Sequence, residues 1–330
     1  MTTSTHAVAA TAAGPIDAET SFVTIDIEKP TATGHDLLVE VKAVSVNPVD
    51  VKVRASFTSA DAPKILGFDA SGTVVAVGEE VTRFEVGDDV FYAGSIARPG
   101  TNAAVHLVDE RITGHKPASS THAEAAALPL TAITAWEALF DKLRLTSESD
   151  GTLLVVGGAG GTASLVIQIA RALTGVHVIG TASRSETAEW VEKMGAHEVV
   201  DHHRLAAEVA ADSVDYIFSA FSEGNIETYA DILETGGSVV AIDDPQELDT
   251  MPLKSKSLSW HWEFMFAKPL HRPTDDSQHR LLDRVAELVD AGTIHTTATR
   301  TLSPISPSTL REAHRLVESG SMIGKVVITQ

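Results

Sequence analysis

Leu153-Leu154-Val155-Val156-Gly157-Gly158-Ala159-Gly160-Gly161-Thr162-Ala163 decides how this chain folds. Four apolar residues in a row read as a strand buried on both faces. Gly158, Gly160 and Ala163 then follow in the spacing G-x-G-x-x-A, and the apolar stretch 160–173 predicts a helix. Gly158 permits a tight turn. Gly160 has no β-carbon, so a diphosphate can approach the backbone, and Ala163 keeps the helix close to the strand. The helix start supplies N–H groups and the positive end of its dipole. A glycine turn without a ligand would carry the same residues, but not this strand-before, helix-after context. The stretch therefore predicts a dinucleotide site over Gly158, Ala159, Gly160, Gly161, Thr162 and Ala163.

Outward from that turn, strand and helix alternate. Strands are predicted at 152–156, 176–180, 198–200, 214–218 and 238–242, and helices at 160–173, 186–194, 205–211 and 225–233. Such a series builds a parallel sheet covered on both faces. NAD sites place an acid about 20 residues after the turn, on the ribose 2′-hydroxyl. Here that region reads Gly180-Thr181-Ala182-Ser183-Arg184, without an acid. Arg184 can pair with a 2′-phosphate and Ser183 can donate to it, which predicts NADPH. The alternative is a solvated surface arginine.

Upstream the periodicity changes. Val39, Val41 and Ala43 alternate with Glu40 and Lys42, and Thr73–Val77 is an apolar run, so the first third reads as β-rich. Residues 123–140 read as helical, broken at Pro129. Beyond the parallel-sheet segment come two helical stretches, 278–291 and 308–319, and a closing strand, Lys325–Thr329. The domain limits are set at 1–125, 126–267 and 268–330.

Composition narrows the function. With 43% hydrophobic and 21% charged residues, the 330-residue chain is globular rather than disordered. Its formal charge of −20 disfavours nucleic acid. The absence of cysteine removes disulfides, thiol nucleophiles and thiolate metal sites. No secretory signal and no membrane-length apolar run are present, so a cytoplasmic protein with no membrane partner is expected.

Further stretches support a resemblance. They are Val44-Ser45-Val46-Asn47-Pro48-Val49-Asp50, Gly67-Phe68-Asp69-Ala70-Ser71-Gly72-Thr73-Val74, and Val77-Gly78 through Phe84 to Gly87-Asp88-Asp89-Val90. Leu128-Pro129-Leu130-Thr131-Ala132-Ile133-Thr134-Ala135-Trp136 and Ser259-Trp260-His261-Trp262-Glu263-Phe264-Met265-Phe266 complete the set. In this order the chain resembles the medium-chain dehydrogenase/reductase superfamily, in its quinone oxidoreductase branch. It is most similar there to the zinc-type alcohol dehydrogenase-like NADPH:quinone reductases. The resemblance implies an α/β protein with a GroES-like β-rich catalytic domain, formed by both chain ends, and an inserted Rossmann cofactor domain. Zinc members use a cysteine in the Asn47–Asp50 stretch and a histidine at Phe68, so no zinc is expected. Asp69, His106 and Asp109 could ligate a metal but lack ligand spacing, and His202-His203 read as surface or phosphate-facing residues.

Without a Lewis acid, a quinone or conjugated enone is the better hydride acceptor, because the charge left behind is delocalised. The resemblance implies a pocket between the domains, Asn47 and Thr134 near the nicotinamide, and His202 near the 2′-phosphate. Relatives often carry a tyrosine where Lys52 stands, so Lys52 either stabilises an enolate oxygen or is a surface lysine. Asp50 reads as a structural hydrogen-bonding residue. Trp260, Trp262, Phe264 and Phe266 would share one face of a strand, as core, dimer contact or substrate wall; Trp262 and Phe264, with Phe57 and Tyr92, are the candidate pocket walls. A homodimer is expected. The reading from a different class is a non-catalytic NADPH-binding redox sensor or structural protein.

Overall fold

The computed structural model describes residues 4–11, 14–56 and 63–330. Phe57, one of the expected pocket walls, lies outside the described residues. The chain divides into two compact units, Met1–Leu130 with Phe266–Gln330, and Thr131–Met265.

The first unit opens with β1 (Ser4–Ala10), β2 (Phe22–Glu28), β3 (Asp36–Val46), α1 (Pro48–Ser56), β4 (Lys64–Ile65), β5 (Asp69–Val77), β6 (Asp89–Tyr92), β7 (Val105–Asp109), β8 (Thr113–His115) and α2 (His122–Ala126). β3 is its long strand. Val39, Val41 and Ala43 point inward while Glu40 is exposed, as the alternation predicts. From Ala43 to Val46 every residue is buried, because that end of β3 is covered on both faces.

In the second unit α3 (Pro129–Trp136), which begins at the boundary, passes into a π-helical turn, Glu137–Lys142. Then come β9 (Thr152–Val156), α4 (Gly161–Leu173), β10 (His177–Thr181), α5 (Ser185–Lys193), β11 (Glu198–Val200), α6 (Leu205–Glu208), β12 (Val214–Ser219), α7 (Ile226–Ile232), β13 (Leu233–Ala241) and β14 (Ser259–Trp262). All six strands are parallel, in the order β11-β10-β9-β12-β13-β14. The order reverses between β9 and β12, where open sheets of this kind receive a ligand at the carboxyl ends of their strands. Leu154, Val156, Val214, Ile217 and Val239 pack beneath Ile226, Tyr229 and Ile232 of α7.

The first unit resumes with α8 (Ala267–His271), α9 (Ser277–Asp290), β15 (Ala298–Leu302), α10 (Pro307–Glu318) and β16 (Lys325–Thr329). β16 lies between β15 and β3, antiparallel to β3, with Val326 opposite Val46. The sheet order is β15-β16-β3-β5-β6-β8, β7 also pairing with β3, and β2-β1-β4 form a smaller sheet. α10 starts on Ser306, whose side chain accepts from the Thr309 N–H, with Pro307 at the first turn. Its Leu310 and Ala313 join the core.

One expectation is corrected. The alternating aromatics do not share a strand face, because β14 ends at Trp262. Phe266 instead starts α8 and is buried 4.9 Å from the ring of Phe68 in the first unit. Among the described residues no helix is long and apolar enough to cross a membrane.

Candidate functional site

The glycine turn leaves β9 at Val156 and enters α4 at Gly161. The residue that needs the left-handed conformation is Gly157, at φ +82°. Gly158 meets a different demand: a β-carbon there would stand 2.8 Å from Val191 Cγ2 and 2.9 Å from the Thr181 carbonyl. Thr181, at the end of β10, clamps the turn. Its carbonyl accepts from Gly158 N at 3.1 Å and its Oγ1 from Gly157 N at 3.0 Å. A β-carbon on Gly160 would meet only the Gly157 carbonyl, at 3.3 Å, and otherwise open space. No side chain caps α4, so its first N–H groups face that space with the dipole's positive end. This is a cradle that fits a diphosphate. Ser164 braces it, donating to the Gly160 carbonyl at 2.8 Å and accepting from Trp190 Nε1 at 2.9 Å. The glycine pattern points to the turn but carries no signal for Thr181, Ser164 or Trp190.

Ser183 and Arg184 are exposed just past the end of β10, and Arg184 Nε stands 3.5 Å from Glu186. An exposed pair of this kind contributes little and gives way to a better anion. His202 is exposed too, its ring centroid 4.1 Å from that of His203. With Asp201, the two histidines present ligand atoms within 4.8 Å of one another, the one group of three or more such side chains found among the described residues.

Around Asn47 the first unit builds a buried polar cluster. Asp69 Oδ2 accepts from Ser45 Oγ at 2.6 Å, Asn47 Nδ2 at 2.9 Å and Lys325 Nζ at 3.3 Å; Oδ1 accepts from the Leu130 N–H at 2.8 Å. Lys325 Nζ also donates to Asn47 Oδ1 and, at 3.1 Å, to the Val46 carbonyl. Asp50 Oδ2 accepts from Asn47 N at 2.8 Å, while its Oδ1 has no hydrogen-bond partner. Burial pushes the Asp50 carboxyl up to about 7. Burial also lowers the Lys325 ammonium, against the opposing pull of Asp69 and Asp50. The structure thus brings Asn47 together with Asp50 and Asp69. Lys325 was missed, because nothing in the sequence links a C-terminal strand residue to residue 47 until β16 is laid beside β3.

Lys52 is exposed on α1 and Thr134 is buried on α3. Tyr92 is wholly buried in the core, its hydroxyl 3.2 Å from His106 Nδ1. His106 also contacts the Pro99 carbonyl at 2.9 Å, and burial lowers it to about 4, a neutral structural imidazole. Asp109 is engaged by Arg111. Trp262 and Phe264 are half exposed, at 48% and 49%.

A glycine cradle at the switch point of a parallel sheet, in a chain whose two ends make a separate β-rich unit, defines an oxidoreductase of the dinucleotide-dependent kind. The family model described as alcohol dehydrogenase GroES-like domain matches residues 33–136, and that described as zinc-binding dehydrogenase matches residues 194–328. The chain belongs to the medium-chain dehydrogenase/reductase superfamily, whose members use a nicotinamide cofactor. It is 42% identical to a zinc-type alcohol dehydrogenase-like protein of Staphylococcus aureus, over 93% of this chain and 94% of that one. A crystal structure of a proposed zinc-dependent alcohol dehydrogenase protein from Rhizobium etli CFN 42 superposes with a TM-score of 0.95 and 51% identity, covering 99% of this chain and 98% of that one. The Escherichia coli quinone oxidoreductase complexed with NADPH shares the fold, with a TM-score of 0.84 and 21% identity, over 98% of this chain and all of that one.

Zinc, implied by three of these descriptions, does not fit the residues around Asn47. The sequence has no cysteine, and the neighbouring position is the buried phenyl ring of Phe68. Both Asp69 oxygens are taken up by protein donors, and the Lys325 ammonium already places a positive charge beside Asn47 and Asp69. A dication there would meet a spent carboxylate and a like charge.

Proposed function

We propose that the protein is a zinc-independent oxidoreductase that moves hydride from NADPH to a quinone or an activated enone. The observation that carries this reading is the buried Lys325–Asn47–Asp69 cluster, an ion pair where the zinc enzymes' ligand stretch runs. An acceptor that needs a Lewis acid is poorly served by it; one that delocalises the incoming charge is not. NADPH over NADH is supported by the acid-free end of β10 and by the exposed Arg184 and Ser183. NADPH would supply the hydride. This chain's residues bind its diphosphate along α4, anchor its 2′-phosphate from Arg184 with His202 in reach of that end, and hold the Asn47 amide in one orientation. A small planar acceptor and no nucleic acid fit this reading. A homodimer is supported by β14, which is an edge strand with Trp262 exposed.

The test is NADPH oxidation with a panel of quinones, enones and alkenals, with and without chelator, and metal analysis of the same sample. Turnover with a quinone or enone, unchanged by chelator, is expected. Activity lost on chelation would overturn the zinc-free reading. NADPH binding without oxidation of any acceptor would replace the enzyme with a redox sensor.

A further inference from the structure

Asp201 ends β11 and caps a short 3-10 turn, His202–Arg204. The ligand atoms of Asp201, His202 and His203, a carboxylate oxygen and two imidazole nitrogens, lie within 4.8 Å of one another. The two rings stand with centroids 4.1 Å apart and planes at 47°. Neither ring is hydrogen-bonded to another protein group. Elsewhere the fold spends its imidazoles: His106 on Tyr92 and the Pro99 carbonyl, His279 on the Thr113 carbonyl, His177 on Glu198. The backbone beneath the pair is fixed. Asp201 Oδ1 accepts from the His203 N–H at 2.9 Å, and the Asp201 carbonyl from the Arg204 N–H at 2.8 Å. The Asp201 N–H donates to Glu208 Oε2 at 2.7 Å, and Arg204 Nη1 pairs with Oε1 of the same carboxylate at 3.0 Å. Leu205, buried in the core, anchors the end of the turn. Asp201 thus spends one oxygen on the turn and keeps Oδ2 for a ligand. The nearest cation, Arg204, is already matched by Glu208.

Two imidazoles and one carboxylate are the donor set of a borderline divalent ion such as Zn²⁺, whereas Mg²⁺ and Ca²⁺ take oxygen ligands. Three protein ligands leave a further position open for water or an anion. The strand register places the turn. Val200 lies opposite Thr181, and the Ala182 N–H donates to the Val200 carbonyl at 2.9 Å. Asp201 therefore leaves β11 at the level where Ser183 and Arg184 leave β10, on the same rim of the sheet. We propose that Asp201, His202 and His203 hold a divalent ion of the Zn²⁺ class at the rim where the coenzyme's 2′-phosphate binds, and that this ion strengthens the hold on that phosphate. The second half rests on the proposed NADPH reading. A dication adds to the attraction that Arg184 exerts on a phosphate monoester, and NADH offers no such group. The ion is bound by residues of the second unit, and turnover at saturating NADPH does not need it.

Calorimetric titration of the whole protein with Zn²⁺ in a non-coordinating buffer tests the site. One ion per chain is expected. His203→Gln should weaken it at least about tenfold. Asp201→Asn should do the same without moving the melting temperature, since asparagine caps the turn as well as aspartate does. His177→Gln, which removes an imidazole elsewhere, should leave the ion's affinity as it was. NADPH and NADH are then titrated with and without saturating Zn²⁺. The ion should tighten NADPH about fivefold or more in the wild type, and should change neither NADH in the wild type nor NADPH in His203→Gln. Absent uptake of Zn²⁺, or uptake that is equal in the wild type and both turn variants, overturns the site, the ion then being adventitious on other histidines. An ion that is lost with His203 yet leaves NADPH affinity unmoved overturns its role at the phosphate. A wild type that binds no NADPH overturns the coenzyme reading instead, and the Zn²⁺ titration still decides the site.

Discussion

Two side chains, Arg184 and Lys325, offer direct tests at the scale of single residues. Arg184 stands exposed beside Glu186, and its replacement tests coenzyme choice directly. Arg184→Asp should raise the Kd for NADPH about ten- to hundredfold and improve that for NADH, because a charge-assisted contact is exchanged for an acceptor of the ribose hydroxyl. Equal NADH and NADPH affinity in the wild type would remove the assignment. Lys325 is the opposite kind of residue, a buried ion with three acceptors. Lys325→Met should destabilise by about 3–5 kcal/mol, since it leaves Asp69 charged and buried. Chemical denaturation reads that loss, and a change below about 1 kcal/mol would mean that the pair is not the cluster's anchor. Legibility divides the same way. The place of Arg184, exposed just past β10, was legible, since Gly180–Arg184 follows directly on an apolar strand and carries no acid. Lys325 and Thr181 were not legible, since their places come from strand pairing and strand-end hydrogen bonds, which have no local pattern.

Among the elements, the turn into α4 makes a prediction that separates folding from binding. Gly160 has φ −71° and ψ 157°, a conformation open to any residue, and space beside it. Gly160→Ala should therefore keep its melting temperature and lose on the order of tenfold or more in NADPH affinity, as the methyl takes the anion's place. A matched loss of both would mean that packing, not the ligand, requires the glycine. The π-helical turn after α3 carries a second prediction. Glu263, just past β14, is buried with neither carboxylate oxygen in a hydrogen bond, and Lys142 Nζ is 3.5 Å from Oε2. Burial, and next the neighbouring Glu137, push its carboxyl up to about 9. The folded protein thus keeps a proton that the unfolded chain sheds near 4.5. This group's contribution is undiminished below that pH and is lost as pH rises from there through the raised value. Glu263→Gln should flatten that decline and be the more stable protein at pH 8 to 9 in thermal melts. A variant that is less stable than wild type throughout would show that the carboxylate, not the acid, is the form the fold requires.

At the scale of the whole molecule, the proposed homodimer would form along the sheet edge at β14. The wild type should elute from a sizing column at twice its 34.9 kDa chain mass, and Trp262→Lys should give the single-chain mass. A monomeric wild type ends that reading. The doubly wound unit was open to reading from its alternating strands and helices, because each βαβ step is local and only one hand of crossover packs. β15 is not among the strands that pattern predicts, and β14 is suggested only by its alternating aromatics. Four residues of Ser259–Trp262 on an edge, and a mostly exposed Ala298–Leu302, lack the apolar run that marks a buried strand. The GroES-like sheet was legible chiefly through resemblance, since the strand beside β3 is separated from it by nearly the whole chain.

That separation bears on how the protein is born and how it is lost. A ribosome releases every residue of the dinucleotide unit before it makes Lys325, so the Asn47 cluster stays unassembled, and Asp69 without its counter-ion, until the last strand emerges. Loss of β16 alone would part β15 from β3 and take the counter-ion from Asp69, with every residue of the glycine turn still in place.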